Sequence, residues 1–393
     1  MMLVRTQYLK QWQGQYRQNI LSGILMGLAL LPVTIAFSFI VHVPPSIGLM
    51  SCGLMMCLMS ILGKRIAMVS GPSSGISIIG APLVNQYGIH YLFLATIMMG
   101  VLLIIYSFCH IDKLLNYIPK TVVIGFMNAL GILLLTTQIK YIFGVSLSTY
   151  IVACLTFIVI YLSGKWIQTI PAPLVAIIII TLLTTMIHPH LQYVHDLANI
   201  KFKMPQLTSL NSSMTIFDWL IIFKYAFTMS VIAVIQTNLT ANMMDAISNT
   251  TSNKDKEIRG QGISNIIVGI VGGYGSSGLV GQSKFNYKMG ATTRLSTLMT
   301  GILLVLCMVL LGPIVGLIPM VVLAVVLVTV SLNTFDRRTV SHIKEAPIMH
   351  SSIMLLTIIL ILMTNNLAIG VIVGTIIYYI IFYLFKKGDV TND

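Results

Sequence analysis

The chain has 393 residues, of which 56% are hydrophobic and only 8% are charged, and its formal net charge is +13. A soluble globular domain carries about a quarter charged residues. The composition therefore excludes an ordinary soluble protein and places most of the chain where charge is costly.

Apolar runs recur from one end of the sequence to the other. A bilayer core about 30 Å thick needs about 20 apolar residues per helix, and several of the runs are shorter than that. With the short runs included, the sequence predicts about fourteen spans, some of them tilted, shielded by protein or interrupted. The longest runs are 20–41, 91–109, 151–162, 174–187, 220–235, 299–311, 321–330, 353–363 and 369–384.

Lysine and arginine are divided unevenly between the two sides of the predicted spans. If the N-terminus is cytoplasmic and the spans alternate, the basic residues outside are only Lys140, Lys201, Lys203 and Lys224, out of 23. This positive-inside pattern predicts a multi-pass protein of the cytoplasmic membrane with both termini cytoplasmic. The excess charge then meets anionic membrane lipid, which argues against a nucleic-acid partner.

Two pairs of short motifs repeat at nearly the same spacing. Ser-Ser-Gly occurs at 73–75 and again at 276–278, and Ile-Pro occurs at 118–119 and again at 318–319, which are offsets of 203 and 200 residues. The repeat predicts two halves of about seven spans each. Because seven is odd, the halves must be inverted relative to each other.

Each Ser-Ser-Gly segment interrupts the hydropathy and precedes a short helical stretch, at 76–86 in the first half and 279–287 in the second. Neither stretch can span a bilayer at 1.5 Å per residue. Non-helical backbone at membrane depth is tolerated only where protein buries it or where it lines a cavity. The sequence therefore predicts, in each half, an extended strand that reaches the midplane and is followed by a half-helix.

In opposite halves of an inverted repeat, the two half-helices point their N-termini at one another. Each N-terminus offers free backbone N–H groups and roughly half a positive charge, so two of them can balance a monovalent anion. Serine hydroxyls at these ends would cap the helices or donate to the ligand. The alternative is that serine and glycine only permit tight helix packing.

Several further motifs occur in order along the membrane region. They are Leu-Pro-Val-Thr-Ile-Ala-Phe at 31–37, Val-Pro-Pro-Ser-Ile-Gly-Leu at 43–49, Ser-Gly-Pro-Ser-Ser at 70–74, Arg-Gly-Gln-Gly-Ile-Ser-Asn at 259–265, and Gly-Gln-Ser followed by Asn286 at 281–286. Together they resemble the sulfate permease (SulP) family of anion transporters.

The resemblance implies an all-α integral membrane protein of fourteen helices in two inverted seven-helix repeats, with the core and gate architecture of uracil permease. The core would comprise residues 1–115 and 214–311, and the gate residues 116–213 and 312–393. It also implies homodimers and an elevator-like movement of core against gate. Many family members carry a cytoplasmic STAS domain after the last helix, and we expect the transport domain alone in this chain.

The resemblance also implies which residues form the anion site, between the third and tenth helices. The first and eighth helices would complete it. Phe37 would wall the pocket, or would make an ordinary core or lipid contact. The expected residues are Ser73, Ser74, Gly75, Gly278, Val280, Gly281, Gln282, Ser283, Phe37, Gln236 and Thr240.

The eighth helix departs from the family pattern. The family usually has an acidic residue there, whereas this chain has Gln236, and all ten acidic residues lie outside the centres of the predicted spans. A buried carboxylate is the natural partner of a proton or Na⁺ in such a site, so coupling to either ion stays open. Gln236 and Thr240, one turn apart, could donate to an anion, give weak oxygen ligands, or bond to a neighbouring helix.

The sequence thus predicts a secondary transporter of a small inorganic anion of the sulfate, bicarbonate or chloride class, without cofactor or metal. The alternatives are an anion channel and a nucleobase carrier of the same fold, although such carriers normally place acidic residues on the eighth and tenth helices. Catalysis has no support, since no nucleophile motif stands in a strand–turn–helix context. Lys284 is either a counter-ion for the substrate or a lysine that snorkels to the cytoplasmic surface.

Overall fold

The computed structural model describes residues 9–110, 117–167, 170–197, 208, 214–310, 312–336, 338–345, 348–364 and 366–389. Two of the lysines expected outside, Lys201 and Lys203, and the expected core and gate boundaries at 115, 116, 213 and 311 lie outside these residues.

Fourteen longer helices and two short strands account for most of the described residues. The first half contains α1 (Tyr16–Ile40), α2 (Pro45–Leu62), β1 (Ser70–Gly71), α3 (Ser74–Tyr87), α4 (Ile89–Phe108), α5 (Lys120–Thr136), α6 (Leu147–Trp166) and α7 (Ala172–Ile187). The second half contains α8 (Ile216–Ser248), α9 (Lys254–Ile270), β2 (Ser277–Gly278), α10 (Val280–Lys288), α11 (Arg294–Leu310), α12 (Met320–Thr334), α13 (Ile348–Thr364) and α14 (Leu367–Asp389). Short connecting helices lie at Ile139–Ile142, Val194–Leu197, Gly312–Gly316 and Arg338–Glu345.

Helix length and composition agree with a membrane protein. Seven helical segments of the described chain are long and apolar enough to cross a bilayer, and the four further apolar stretches 172–187, 294–310, 349–364 and 367–383 have 10–17 residues. The half-helices are shorter still and more polar, α10 having 9 residues. The predicted mixture of full and shortened spans is confirmed.

Proline and polar caps set where several helices begin. Pro119 and Pro319 are the N-cap residues of α5 and α12, at equivalent places in the two halves. Proline fixes φ and has no N–H to leave unpaired, so it suits a helix start. The long helix α8 begins instead with a capping box between Thr215 and Asp218, in which each side chain bonds the other residue's backbone N–H.

The packing repeats when α1–α7 are exchanged with α8–α14. Helix α2 packs on α11 as α9 packs on α4, and α1 packs on α11 as α8 packs on α4. Since each half contributes seven helices, the second half runs inverted through the bilayer. The predicted inverted repeat is therefore confirmed in the helix packing.

Close glycine contacts recur at the same two crossings. A Cβ added to Gly53 would lie 3.1 Å from Gly301 O, and one added to Gly301 would lie 2.7 Å from Gly53 O. At the α4–α9 crossing, a Cβ on Gly100 would lie 2.6 Å from Gly262 O, and one on Gly262 would lie 2.7 Å from Gly100 O. Only glycine lets these backbones approach so closely. The helices α1–α4 and α8–α11 thereby form one tightly packed group, while α5–α7 pack mainly with α12–α14.

Candidate functional site

The two strands pair in the middle of the first helix group, which consists of α1–α4 and α8–α11. They pair antiparallel, with Ser70 opposite Gly278 and Gly71 opposite Ser277, and Leu279 N–H extends the ladder by donating to Val69 O at 2.9 Å. Each strand leads within three residues into a half-helix, α3 on one side of the ladder and α10 on the other. The predicted bounds of the half-helices, 76–86 and 279–287, were close to those observed.

We call the extended segments that contain the two strands the first arm (residues 69–73) and the second arm (residues 274–279). Side chains from neighbouring helices satisfy backbone groups of these arms that face away from the ladder. This is required at membrane depth, where water is absent. The pairs are Val69 N–H to Ser283 Oγ (2.8 Å), Ser70 N–H to Met56 Sδ (3.3 Å), Tyr274 N–H to Ser51 Oγ (3.0 Å), Ser276 N–H to Asn265 Oδ1 (2.8 Å) and Gly278 N–H to Thr237 Oγ1 (3.2 Å).

The N-terminus of α3 presents unpartnered donors. Its N-cap residue, Ser73, has extended backbone and makes no side-chain cap. Ser73 is only 2% exposed, and yet its hydroxyl has no hydrogen-bond partner within the described chain. The backbone N–H groups of Ser74, Gly75 and Ile76 likewise have no acceptor among the described residues. Four donors are therefore available at one helix end.

The N-terminus of α10 is equally open. Its N-cap residue, Leu279, offers no side-chain cap, and the N–H groups of Val280, Gly281 and Gln282 find no acceptor in the part of the chain that the structure describes. Gly281 is exposed, and a Cβ added to it would have nothing within 4 Å. Open space thus lies directly beside the first turn of α10. Such a helix end attracts negative charge.

Helix α8 runs beside β2 and the half-helices α3 and α10, and Gln236 lies beside both Ser277 and the first turn of α3. The Ser277 hydroxyl donates to Gln236 Oε1 at 2.6 Å, while Gln236 Nε2 lies 3.2 Å from the Cβ that an alanine would have in place of Gly75. Thr240 donates to Gln236 O at 2.7 Å within α8, and its Oγ1 lies 3.1 Å from a Cβ built on Gly278. Gln236 thus accepts a hydrogen bond from Ser277, and Thr240 donates one within α8. Whether either side chain also binds an anion stays a prediction.

The remaining expected residues fall into different environments. Ser283 lies in α10, and its hydroxyl accepts the Val69 N–H, so it ties α10 to the first arm. Phe37 is 2% exposed within the main apolar core, which agrees with the core contact considered as its alternative. Lys284 is exposed and forms no ion pair with any described residue. Whether these three contact a ligand stays a prediction.

No acidic side chain of the described residues lies at this site. The carboxylates that form ion pairs in the described chain do so elsewhere, for example Asp245 with Arg65 and Lys254 at the far end of α8. No group of three His, Cys, Asp or Glu side chains among the described residues could hold a metal ion. The site's electrostatics come from peptide dipoles and neutral polar side chains.

A cavity of about 490 Å³ lies between the end of α1, the middle of α3 and the end of α5. Two basic residues face it, His42 in the α1–α2 turn and Lys140. Partial burial, and then the positive charge of Lys140, hold the pKa of His42 below its ordinary value of 6.5. The lining residues are Phe39, Ile40, His42, Ile78, Ala81, Thr136, Thr137, Ile139, Lys140 and Tyr141.

The sequence profile of the sulfate permease family matches residues 16–150 and 145–357, which include both arms and both half-helices. The chain belongs to the sulfate permease family. A similar protein is the putative sulfate transporter YbaR of Bacillus subtilis, 36% identical over 373 residues that cover 95% of this chain and 78% of the relative. The bicarbonate transporter BicA of Picosynechococcus is 22% identical over 352 residues, 81% of this chain and 62% of the relative.

Solved structures of two other transporters have the same fold. The transmembrane domain of a cyanobacterial bicarbonate transporter BicA matches with a TM-score of 0.78 at 21% identity, over 93% of this chain and 97% of that one. Murine Slc26a9, an anion transporter in an inward-facing state, matches with a TM-score of 0.84 at 16% identity, over 97% of this chain and 70% of that one. These matches confirm the predicted architecture of inverted repeats.

Sequence reasoning missed the residues that hold the arms in place. Gln261 and Asn265 bond to Ser70 and Ser276, and both are buried within α9. The sequence contained a signal for both residues, because polar side chains one turn apart inside an apolar helix need hydrogen-bond partners. The partners themselves follow only from the pairing of arms about 200 residues apart.

Proposed function

We propose that this sulfate permease family member is a secondary transporter, which moves a small inorganic anion across the cytoplasmic membrane by alternating access. The observation that carries the proposal is the set of donors without acceptors: six backbone N–H groups and the Ser73 hydroxyl, at two helix ends that begin from one ladder. A bound anion would accept these hydrogen bonds. The names of the relatives point to sulfate or bicarbonate, and chloride suits the same donors.

The charge balance favours a monovalent ion in the site. Two helix N-termini supply about one positive charge together. A dianion would keep about one uncompensated negative charge unless a cation joins it. Bicarbonate and chloride therefore match the dipoles better than sulfate does, and sulfate would need Lys284 or a co-transported cation.

The moving parts follow the two helix groups. We propose that residues 1–115 and 214–311 form a core that carries the anion, and that 116–213 and 312–393 form a gate. The proposal is supported by the tight glycine crossings of α2 with α11 and of α4 with α9. The protein would act as a homodimer in contact with membrane lipid, with both termini cytoplasmic, as the distribution of basic residues predicts.

Purified protein in proteoliposomes tests the activity directly. Uptake of labelled sulfate, bicarbonate and chloride would be measured with and without Na⁺ and a pH gradient. A carrier gives saturable uptake that is stimulated by anion on the far side, whereas a channel gives large currents without such stimulation. Uptake of uracil or xanthine without any anion uptake would instead identify a nucleobase carrier.

A matched pair of variants tests the site. Aspartate is a good N-cap residue, so Ser73→Asp should fold, while its carboxylate occupies the place of the anion and abolishes transport. Ser146→Asp introduces the same change at the N-cap of α6, where Ser146 caps Thr149 N–H, and should retain transport. Full activity of Ser73→Asp would overturn the proposed site.

A further inference from the structure

Helix α9 turns a buried polar face towards the two arms. Gln261, Ser264 and Asn265 lie on consecutive turns of this face, and none of them is more than 1% exposed. Burial of two amide side chains in an apolar bundle is costly unless their hydrogen bonds are made. Their partners therefore indicate what they contribute to the structure.

The Asn265 amide bonds both backbone groups of one residue in the second arm. Its Oδ1 accepts Ser276 N–H at 2.8 Å, and its Nδ2 donates to Ser276 O at 3.1 Å and to Gln261 O at 2.9 Å. This is the pattern that a neighbouring strand would give. One turn earlier, Gln261 Nε2 donates to the Ser70 hydroxyl in β1 at 2.6 Å. Adjacent turns of α9 thus hold one arm each.

A ladder of two-residue strands cannot hold its own position. Even an isolated two-stranded hairpin is marginally stable in water, and β1 and β2 lie far apart in the chain. The direction of each half-helix follows from its strand, because only one or two residues separate them. The groups that fix the strands consequently fix the donors at the start of α3 and α10.

We propose that Asn265 and Gln261 are positioning residues, which aim the donors of α10 and α3 at the anion without contacting it. The inference rests on the proposed function. Asn265 aligns the second arm, and hence the N–H groups of Val280 and Gly281. Gln261 does the same for the first arm through Ser70.

The expected effect is on affinity. Displacing a bound group by about 1 Å can cost on the order of 100-fold in rate, so we expect Asn265→Leu to raise the KM for chloride at least tenfold while folded protein is still recovered. Asn128 provides a matched control. It is also a buried asparagine, accepting Asp336 N–H at 3.1 Å and donating to Thr339 Oγ1 at 2.8 Å in the other helix group. Asn128→Leu should lower thermal stability and leave KM within about twofold of the wild type, since the buried hydrogen bonds that it removes lie in the other helix group.

Asn265→Asp separates alignment from simple loss of packing. The carboxylate still accepts Ser276 N–H but repels Ser276 O. When protonated, it can again donate and accept as the amide does. Uptake by this variant relative to wild type should therefore recover as the pH falls, measured with chloride because bicarbonate itself titrates. Asn265→Leu should show no such recovery.

Hydrogen exchange gives a readout that does not depend on transport. Peptides covering 274–283 should exchange faster in Asn265→Leu, and peptides covering 67–76 faster in Gln261→Leu, with the other arm less affected in each case. If the wild type transports no anion, the proposed function fails. The exchange measurement still tests, independently of transport, whether Asn265 and Gln261 hold the two arms in place. Unchanged exchange at 274–283, or an unchanged KM in a variant of an active wild type, would overturn the positioning role.

Discussion

The Ser277 hydroxyl donates to Gln236 Oε1 at 2.6 Å, which joins the second arm to the middle of α8 at the level where α3 begins. The same amide has its Nε2 next to Gly75. One neutral amide side chain therefore lies beside both the second arm and the first turn of α3. The identity of this residue should decide how the transporter responds to cations.

Gln236→Glu should make anion uptake depend on cations. The carboxylate can still accept from Ser277, but its negative charge opposes an anion held by the helix ends. We expect anion uptake to fall at low Na⁺ and neutral pH, and to recover as Na⁺ is added or the pH is lowered. Proteoliposome uptake over a Na⁺ and pH series measures this. Gln236→Met, which is uncharged, should show no recovery, and equal ion dependence of the two variants would contradict the expectation.

Substitution by alanine should have different effects at two serines of the site: it should weaken anion binding at Ser73 and lower stability at Ser283. The Ser73 hydroxyl has no partner within the described chain, so Ser73→Ala should change stability by less than about 0.5 kcal/mol while raising the KM for the anion. Ser283 accepts the buried Val69 N–H, and Ser283→Ala leaves that group unpaired, at a cost of about 1–3 kcal/mol. Thermal unfolding in detergent, paired with uptake kinetics, distinguishes them. A Tm loss in Ser73→Ala as large as that in Ser283→Ala would be the contrary result.

Gly281→Ala should stabilise the protein and impair transport. The methyl group meets no atom within 4 Å in the free protein, and alanine in place of a helical glycine gains about 0.4–1 kcal/mol. The same methyl would occupy the space in front of the α10 donors. We expect a raised Tm together with a several-fold higher KM. A raised Tm with unchanged uptake would mean that the anion does not approach α10 there.

His42 should make stability depend on pH on the acid side. Its pKa in the folded protein is below the ordinary value of 6.5, so the unfolded chain binds the proton first as the pH falls. The contribution of neutral His42 is complete above pH 6.5 and is lost as the pH falls through the lowered pKa.

The measurement for His42 is imidazole NMR of the protein in nanodiscs. Lys140→Gln removes the second cause of the shift and should move the pKa of His42 upward, though burial still keeps it below the ordinary value. His42→Gln should reduce the difference in Tm between neutral and acidic pH. No change in the His42 titration in Lys140→Gln would contradict the assigned influence of Lys140.

The arms were predictable because their causes are local. Pro72 and the glycines between 272 and 278 interrupt a helix whatever the tertiary packing around them. The first residues of the half-helices were predicted to within two residues. The repeat of Ser-Ser-Gly then gave the inverted halves. Fourteen helices followed from the apolar runs and the resemblance together.

Partners across the bundle were not predictable in this way. The contact of Ser283 Oγ with Val69 N–H could not be foreseen, because the ladder register brings those two residues together. Whether Ser283 also faces the anion stays a prediction. Asn265 was visible in a motif, but its bidentate contact with Ser276 depends on how α9 rotates against the second arm. Rotation and register are set by side-chain packing over the whole group, including the glycine contacts at Gly100 and Gly262.

The ladder between β1 and β2 has a consequence for biosynthesis. Ser70 leaves the ribosome about 200 residues before Gly278, which at 5–20 residues per second is about 10–40 s. Throughout that delay the first arm has no strand to pair with, and lipid offers its backbone no hydrogen bonds. Until β2 is synthesised, nascent α1–α4 therefore need a hydrated environment, shielded from lipid, beside the insertion machinery. A ribosome that stalls before α10 would leave an open strand edge for quality-control proteases to recognise.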